Sequence, residues 1–349
     1  FVTSKGISGG IEKCMKVMIP VLFISMLIIV VRAITLPGST EGLQYMFHID
    51  ASYLLKANTW LEALAQCAWS MGPGFGLIIS YAVYTKANSD ITLTTVTQGL
   101  SDTMAALLAS TAICGALFAT MGSEASMEIM QSGSNGLCFI ALPNLFATMS
   151  GGHILGICFF LALFMAVLTS NFGHVAVVSL AIQELGISKK KAIWWTFIVT
   201  CIVGLPSAYS MDIMGRLDWV SGTLLVFGAL FVCYAVRKFG AKKFRERFLN
   251  TPYDEFPIGR WFELTITIIA PLLTIFVLGG WVYQSFMADP SGAFNPLGNG
   301  TVGALVVQGG LIILVTILFN DKVADRIKNK YFNGETFPEI PPEHYDDAQ

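Results

Sequence analysis

Two groups of side chains in this sequence could do chemistry where water is scarce. Asp102 lies inside an apolar run, twelve residues beyond Asp90. At 1.5 Å per helical residue that is ~18 Å along the run, near the centre of a membrane. A carboxylate at that depth is costly unless paired, and marks a functional site by default. No Lys or Arg lies at matching depth, so a bound cation is the simplest partner. A protonated acid bonded to its neighbours, or an acid facing a wet loop, would satisfy it as well. The second group is Ala166-Val167-Leu168-Thr169-Ser170-Asn171. Thr and Ser hydroxyls with a helical carbonyl are hard oxygen donors suited to a hard cation, although such hydroxyls often bond back to their own helix. His174 follows Ser170 by four residues, one turn on along the same face. Such a His lines a cavity, relays a proton, or packs as a neutral residue with one hydrogen bond.

Backbone carbonyls form a third set of donors wherever a helix is broken. Ser70-Met71-Gly72-Pro73-Gly74-Phe75-Gly76 sits near the centre of an apolar stretch. Pro73 removes a backbone donor and clashes with the preceding turn, and each glycine adds backbone freedom. A lone proline could make a simple kink, as Pro20 and Pro271 are expected to do. A proline flanked by three glycines points instead to true unwinding, which the bilayer core tolerates only where protein or a wet cavity surrounds the backbone. Interrupted helices at mid-membrane expose carbonyls to ions and half-helix ends to charged substrates.

The elements that must carry these groups are membrane helices. The chain has 349 residues, of which 54% are hydrophobic and 13% charged, and its mean hydropathy is +0.65. A soluble protein carries about 25% charged residues. A span needs roughly 20 mostly apolar residues, and roughly eight stretches qualify. They run near Ile19–Leu36, Trp60–Tyr84, Ile91–Met121, Ile154–Ile187, Ala192–Ser207, Trp219–Val236, Leu264–Phe286 and Val302–Phe319. The stretch from Ser123 to Gly152 reads as a long outer loop with short helices dipping toward the pathway. The acidic, Pro-rich Glu335–Gln349 reads as a flexible tail. With the N-terminus in the cytoplasm, all of the 21 Lys and Arg residues fall on the inner side except Arg32, Lys56 and Arg216. The positive-inside rule then puts both ends of the chain in the cytoplasm.

Other classes are excluded or disfavoured. A net charge of -2 gives no footprint for nucleic acid. Seven cysteines lie scattered in apolar runs with no CxxC pair, so they read as small buried hydrophobes. No nucleophile–base pair, metal cluster or cofactor motif points to an enzyme or a bound cofactor. The chain begins at Phe1 without a signal-peptide pattern, and reads as a cut inside a longer protein.

Four motifs in order carry a family resemblance. They are Gly10-Ile11-Glu12-Lys13 with Met18-Ile19-Pro20 and Val31-Arg32-Ala33; Gln66 through the Ser70–Gly76 run; Leu168-Thr169-Ser170; and Leu217-Asp218-Trp219 with Ser221-Gly222-Thr223. On these the chain resembles the neurotransmitter:sodium symporters, from their fifth to their twelfth transmembrane helix. The resemblance implies an all-α integral membrane protein with the LeuT-type inverted-repeat fold. The last helix of repeat one would lie near 10–36, repeat two near 59–237, and two further helices near 260–320. The upstream helices, among them the first, would be missing partners, leaving each ion site incomplete in this chain alone. A homodimer is compatible with the resemblance.

The resemblance also implies roles. Ser70 and Asp102 would bind one sodium ion, and the Ala166 carbonyl with Thr169 and Ser170 a second. The carbonyls of Trp69, Ser70 and Gly72 would face the amino group of an amino-acid substrate, with Gly74 beside them. Trp69, Phe75, Ser170 and His174 would line its side-chain pocket. Gln66 and Asp218 would form an outer gate, and Tyr84 and Glu184 an inner one. Two departures stand out. Asp102 occupies a position where the family has an amide, and Ala106 one where the chloride site has a serine. A fixed negative charge there makes a bound chloride redundant. His174 stands where small residues are usual, and Gly72 opens the pocket to bulky apolar or aromatic amino acids. The rival expectations are a proton-coupled carrier or channel using Asp102 and His174, and a membrane protein inactive in transport.

Overall fold

A computed structural model describes residues 2–5, 7–82, 89–131, 137–148 and 151–331. All regular structure among the described residues is helical. The helices are α1 (Glu12–Ile34), α2 (Ser39–Phe47), α3 (Ala57–Met71), α4 (Leu77–Ala82), α5 (Ile91–Gln131), α6 (Leu142–Thr148), α7 (Gly152–Glu184), α8 (Lys189–Tyr209) and α9 (Met211–Phe239). Two more, α10 (Trp261–Ala288) and α11 (Val302–Lys330), each contain a π-type turn near their start. Among the described residues seven helices are long and apolar enough to cross a membrane: α1, α5 and α7 to α11, with α1 counted from Gly9. The second apolar stretch of the sequence is absent from that set because it is two pieces, α3 and α4, with a break between Met71 and Leu77.

Two helix starts carry side-chain caps. Ser210 accepts from the Ile213 N–H at the start of α9, and Thr301 accepts from the Ala304 N–H at the start of α11. These hydroxyls satisfy donors that the first helical turn leaves unpaired. Within α5 the helical path breaks at Gly122, where φ is 74°, a conformation that favours glycine. The expected outer loop is therefore more helical than its sequence suggested. Residues 123–131 continue as helix after that break, and α6 follows after an intervening segment. Gly133, Ser134, Asn135 and Gly136, like the acidic tail, lie outside the described residues.

The chain divides into two compact units: residues 1–55 with 97–173, and residues 56–96 with 174–349. The first unit has a core of Ile29, Val30 and Ala33 from α1, Ala112, Ala116, Leu117 and Phe118 from α5, Leu142, Leu145 and Phe146 from α6, and Leu155 from α7. Small residues let its backbones approach. A Cβ on Gly42 of α2 would collide with the Cys114 carbonyl, and one on Gly115 would lie 3.5 Å from Ala33. Lipid tails are as apolar as leucine, so such contacts hold membrane helices together by dispersion. Ser123 adds a hydroxyl bond of 2.9 Å to Glu41.

The second unit packs α3, α9 and α10 around Leu61, Ala65, Val226, Val277 and Trp281. Its loop after α9 is stitched by polar contacts. Buried Arg245 donates to Glu263 Oε1 at 3.1 Å and to the Ile258 carbonyl at 3.2 Å. Asn250 pairs reciprocally with the backbone of Ile258 at 2.7 and 2.9 Å. Asp90 ties this loop to the start of α5, accepting from the Leu93 N–H at 2.7 Å and the Glu255 N–H at 2.8 Å.

Those two N–H bonds, Leu93 first, hold the Asp90 carboxyl below the usual carboxylate range. A depressed folded-state pKa contributes stability that is present above the unfolded value, about 3.9, and is lost as pH falls through the folded value. Asp90→Asn is therefore expected to lower the melting temperature at neutral pH and to flatten its decline in acid. Melting curves of both proteins between about pH 6 and pH 3 test this; parallel declines would contradict it.

Candidate functional site

The interrupted helix lies within the second unit, and its position follows from what grips α3. Leu61 covers Gly280 of α10, a spot where any side chain would collide with it. Gln284 of α10 donates to Asn58 at 2.8 Å and to Glu62 at 2.9 Å. The Trp69 indole lies directly on Gly222 of α9. One turn before Gly222, Trp219 packs beside Trp281 with ring centroids 6.2 Å apart, and its indole N–H donates to the Thr301 carbonyl at 3.1 Å.

At the end of α3 the Gly72 N–H closes the last helical bond to Ala68 at 3.1 Å, and Gly72 takes φ 61°. The Trp69 carbonyl would next accept from residue 73. Pro73 has no N–H, so that carbonyl has no helical donor. Negative partial charge gathers at a helix C-terminus, which makes this end suited to a cation or an ammonium group. Phe75 N–H donates to the Gly72 carbonyl at 3.1 Å, turning the chain back. The Phe75 ring then covers Gly72, 3.3 Å from where a Cβ would stand, and meets Trp69 edge-on at 6.2 Å and 89°. The space that the bare Gly72 was expected to open is thus taken by the Phe75 ring.

Gly74 carries the closest approach of the segment. At φ 83° its Cα faces the α9 backbone. A Cβ there would collide with the Leu225 carbonyl and stand 2.7 Å from the Ala229 nitrogen and 2.8 Å from the Gly228 carbonyl carbon. The helix resumes when the Ser80 N–H bonds the Gly76 carbonyl at 3.0 Å. The unwound backbone is therefore seated on another helix.

The oxygen-rich stretch of α7 lies in the first unit. The Thr169 hydroxyl donates to the Ala166 carbonyl at 2.8 Å. The hydroxyl oxygen keeps its acceptor sites for a cation, because a hydroxyl has one donor and two acceptor sites. Asp102, on α5, and Ser170 belong to the same unit; Ser70, His174, Gln66, Asp218 and Glu184 belong to the other. Ser70, Asp102, Ser170 and His174 are each engaged by a neighbouring group. Gln66, Asp218 and Glu184 are exposed, and Tyr84 lies outside the described residues. The structure thus brings together Trp69, Gly72 and Phe75 in one unit, and Ala166 with Thr169 in the other. Among the described residues no group of three or more His, Cys, Asp or Glu could hold a metal ion.

Sequence reasoning named Gly222 only as part of a motif and missed two seats of the site: Gly228 on α9 and Gly280 on α10. Their only signal is a glycine in a long apolar helix, which fits lipid contact as well as close packing.

This fold and site define a multi-pass helical membrane protein with a discontinuous helix. The sequence model of the Sodium:neurotransmitter symporter family matches residues 1–318, and the chain belongs to that family, whose members are transporters and not enzymes. It is 31% identical over 321 residues to an uncharacterized sodium-dependent transporter of Methanocaldococcus jannaschii, covering 89% of this chain and 63% of that protein. It is 28% identical over 290 residues to an uncharacterized sodium-dependent transporter of Haemophilus influenzae, covering 79% and 61%. It is also 30% identical over 199 residues to a sodium- and chloride-dependent GABA transporter of Drosophila melanogaster, covering 53% and 21%. The chain thus spans less than two thirds of the length of these relatives.

The seat of Gly74 makes a ranked prediction. Gly74→Ala combines a left-handed backbone cost of about 1–2 kcal/mol with overpacking worth about 1–3 kcal/mol. A Cβ on Gly228 meets nothing closer than the Gly74 carbonyl oxygen at 3.2 Å. Gly74→Ala is expected to lower folded yield and melting temperature clearly more than Gly228→Ala, as read by size-exclusion chromatography and thermal unfolding. The reverse order would contradict the geometry.

Proposed function

We propose that this chain forms part of a sodium-coupled amino-acid symporter of the plasma membrane that works by alternating access, with both of its ends cytoplasmic. The observation that carries the reading is the seated break between Met71 and Leu77 in a member of this family. It leaves the Trp69 carbonyl without a helical donor at the negative end of α3. In the proposed mechanism Ser70 and Asp102 bind one sodium ion. The Ala166 carbonyl, Thr169 and Ser170 bind a second. The carbonyls of Trp69, Ser70 and Gly72 hold the substrate amino group, with Phe75, Trp69, Ser170 and His174 around its side chain. Aromatic walls suit a bulky apolar or aromatic amino acid. Gln66 and Asp218 act on the outer side, and Tyr84 and Glu184 on the inner.

Coupling follows from population shift. A ligand moves an equilibrium only by as much as it prefers one state. Sodium and substrate both favour the state that binds them better, and rigid-body rocking exchanges access. Asp102 supplies a fixed negative charge, so transport needs no chloride. This sets the chain apart from the fly relative whose name includes chloride dependence.

Uptake of a panel of amino acids by the intact protein in proteoliposomes tests the reading. Uptake is expected with external sodium and not with potassium or choline, and is expected to be unchanged when gluconate replaces chloride. Thr169→Val is expected to raise the half-saturating sodium concentration about tenfold, equivalent to about 1.4 kcal/mol. Uptake that persists without sodium and follows a proton gradient would favour a proton-coupled carrier using Asp102 and His174. Loss of uptake on removing chloride would sink the role given to Asp102.

A further inference from the structure

Glycines at the helix contacts differ in what a side chain on them would strike. On Gly42 and Gly74 a Cβ would meet backbone of another helix, which cannot give way without moving that helix. On Gly222 of α9 it would collide with Cζ2 and Cη2 of the Trp69 indole and stand 3.5 Å from Cε2. Those atoms are the far end of a side chain with two rotatable bonds. At this contact the ring moves and both helices stay.

The seat itself is fixed. Val220, Thr223 and Val226, on either side of Gly222 in α9, are buried. The Thr223 hydroxyl donates to the Trp219 carbonyl at 2.7 Å, and Trp219 is held from outside α9 by Trp281 and the Thr301 carbonyl. The indole is the freer partner, since Trp69 is 40% exposed and the Phe75 ring meets it only edge-on. A side chain at 222 therefore drives the indole off α9 toward its open side. The missing Cβ lets the ring withdraw from that side and lie against the α9 backbone, where it gains dispersion contacts.

We propose that Gly222 is a positioning residue that sets the upper size of the transported amino acid, acting through the seated Trp69 indole. The inference rests on the reading that Trp69 lines the pocket of the substrate side chain. Room for a bulky substrate then comes from Gly222, which takes the indole out of the way. It does not come from Gly72, which the Phe75 ring covers.

Sodium-driven uptake of alanine and of tryptophan by the intact protein in proteoliposomes, with melting curves of the same preparations, tests it. Gly222→Ala is expected to lower kcat/KM for tryptophan relative to alanine about tenfold, the scale of a methylene-sized misfit in an apolar pocket, and to lower the melting temperature. In a Trp69→Phe background the same substitution should leave both the ratio and the melting temperature unchanged, because a phenyl ring stops short of the Gly222 seat. Equal losses for the two substrates, or the same drop in melting temperature in both backgrounds, overturn the proposal. If Gly222→Ala alone does not fold, Trp69→Phe should restore folding, and failure to do so overturns it as well. A natural protein that takes up no amino acid overturns the reading of function instead, and the pair then stands or falls on the melting temperatures.

Discussion

The constraint on which the structure turns is that a backbone without water must find its partners in protein. Between Met71 and Leu77 the α-helical ladder stops, and in lipid each unsatisfied N–H or carbonyl would cost several kcal/mol. The segment survives because Gly74 lies flush on the α9 backbone at Leu225, Gly228 and Ala229, and because a tight turn from Phe75 to Gly72 uses one carbonyl internally. A break of this kind is therefore a property of two helices. The glycines at 72, 74 and 76 all take positive φ, but conformational freedom alone would yield a loose loop. The contact with α9 makes it a fixed one.

The same physics recurs through both units. Where apolar solvent surrounds apolar side chains, burial drives little, and helices associate by close contact and the occasional polar bond. Gly222 under Trp69, Gly280 under Leu61 and Gly42 against Cys114 are three cases in which the missing Cβ is the interaction. Polar stitching is local: Gln284 grips α3 through Asn58 and Glu62, and Arg245 anchors the loop after α9 through Glu263 and Ile258. Breaking one of these leaves a neighbour without its partner, which costs more than the bond itself contributes.

The break was legible in the sequence because proline and glycine act on their own backbone. So were the long apolar helices, since their signal is length and composition. Contacts between helices were not. Gly228 looks like any glycine in an apolar run, and nothing in its neighbourhood names Gly74 as its partner. The reading of Gly72 as open space failed for the same reason: the ring of Phe75, three residues on, returns to fill it. Residues 123–131 read as loop because Gly133, Ser134, Asn135, Gly136 and Pro143 follow them, yet the chain resumes helix at once after turning at Gly122. Arg245 was counted as one more inner-side charge, although it is 8% exposed and its work is to hold a loop.

A cation site in a membrane helix has to be tolerable when empty as well as when full. On the proposed reading, Ala166 and Thr169 meet both demands within one turn of helix. The Thr169 hydroxyl gives its proton to the Ala166 carbonyl at 2.8 Å, so no donor is stranded in the empty state. The bond uses none of the lone pairs on the hydroxyl oxygen. The hydroxyl oxygen can then face a cation without breaking that bond. The back-bonded hydroxyl and the ion ligand, which look like rival readings of this motif, are compatible on the same atoms. What separates them is whether a cation raises the order of this turn, and that depends on charge brought to it from outside the helix.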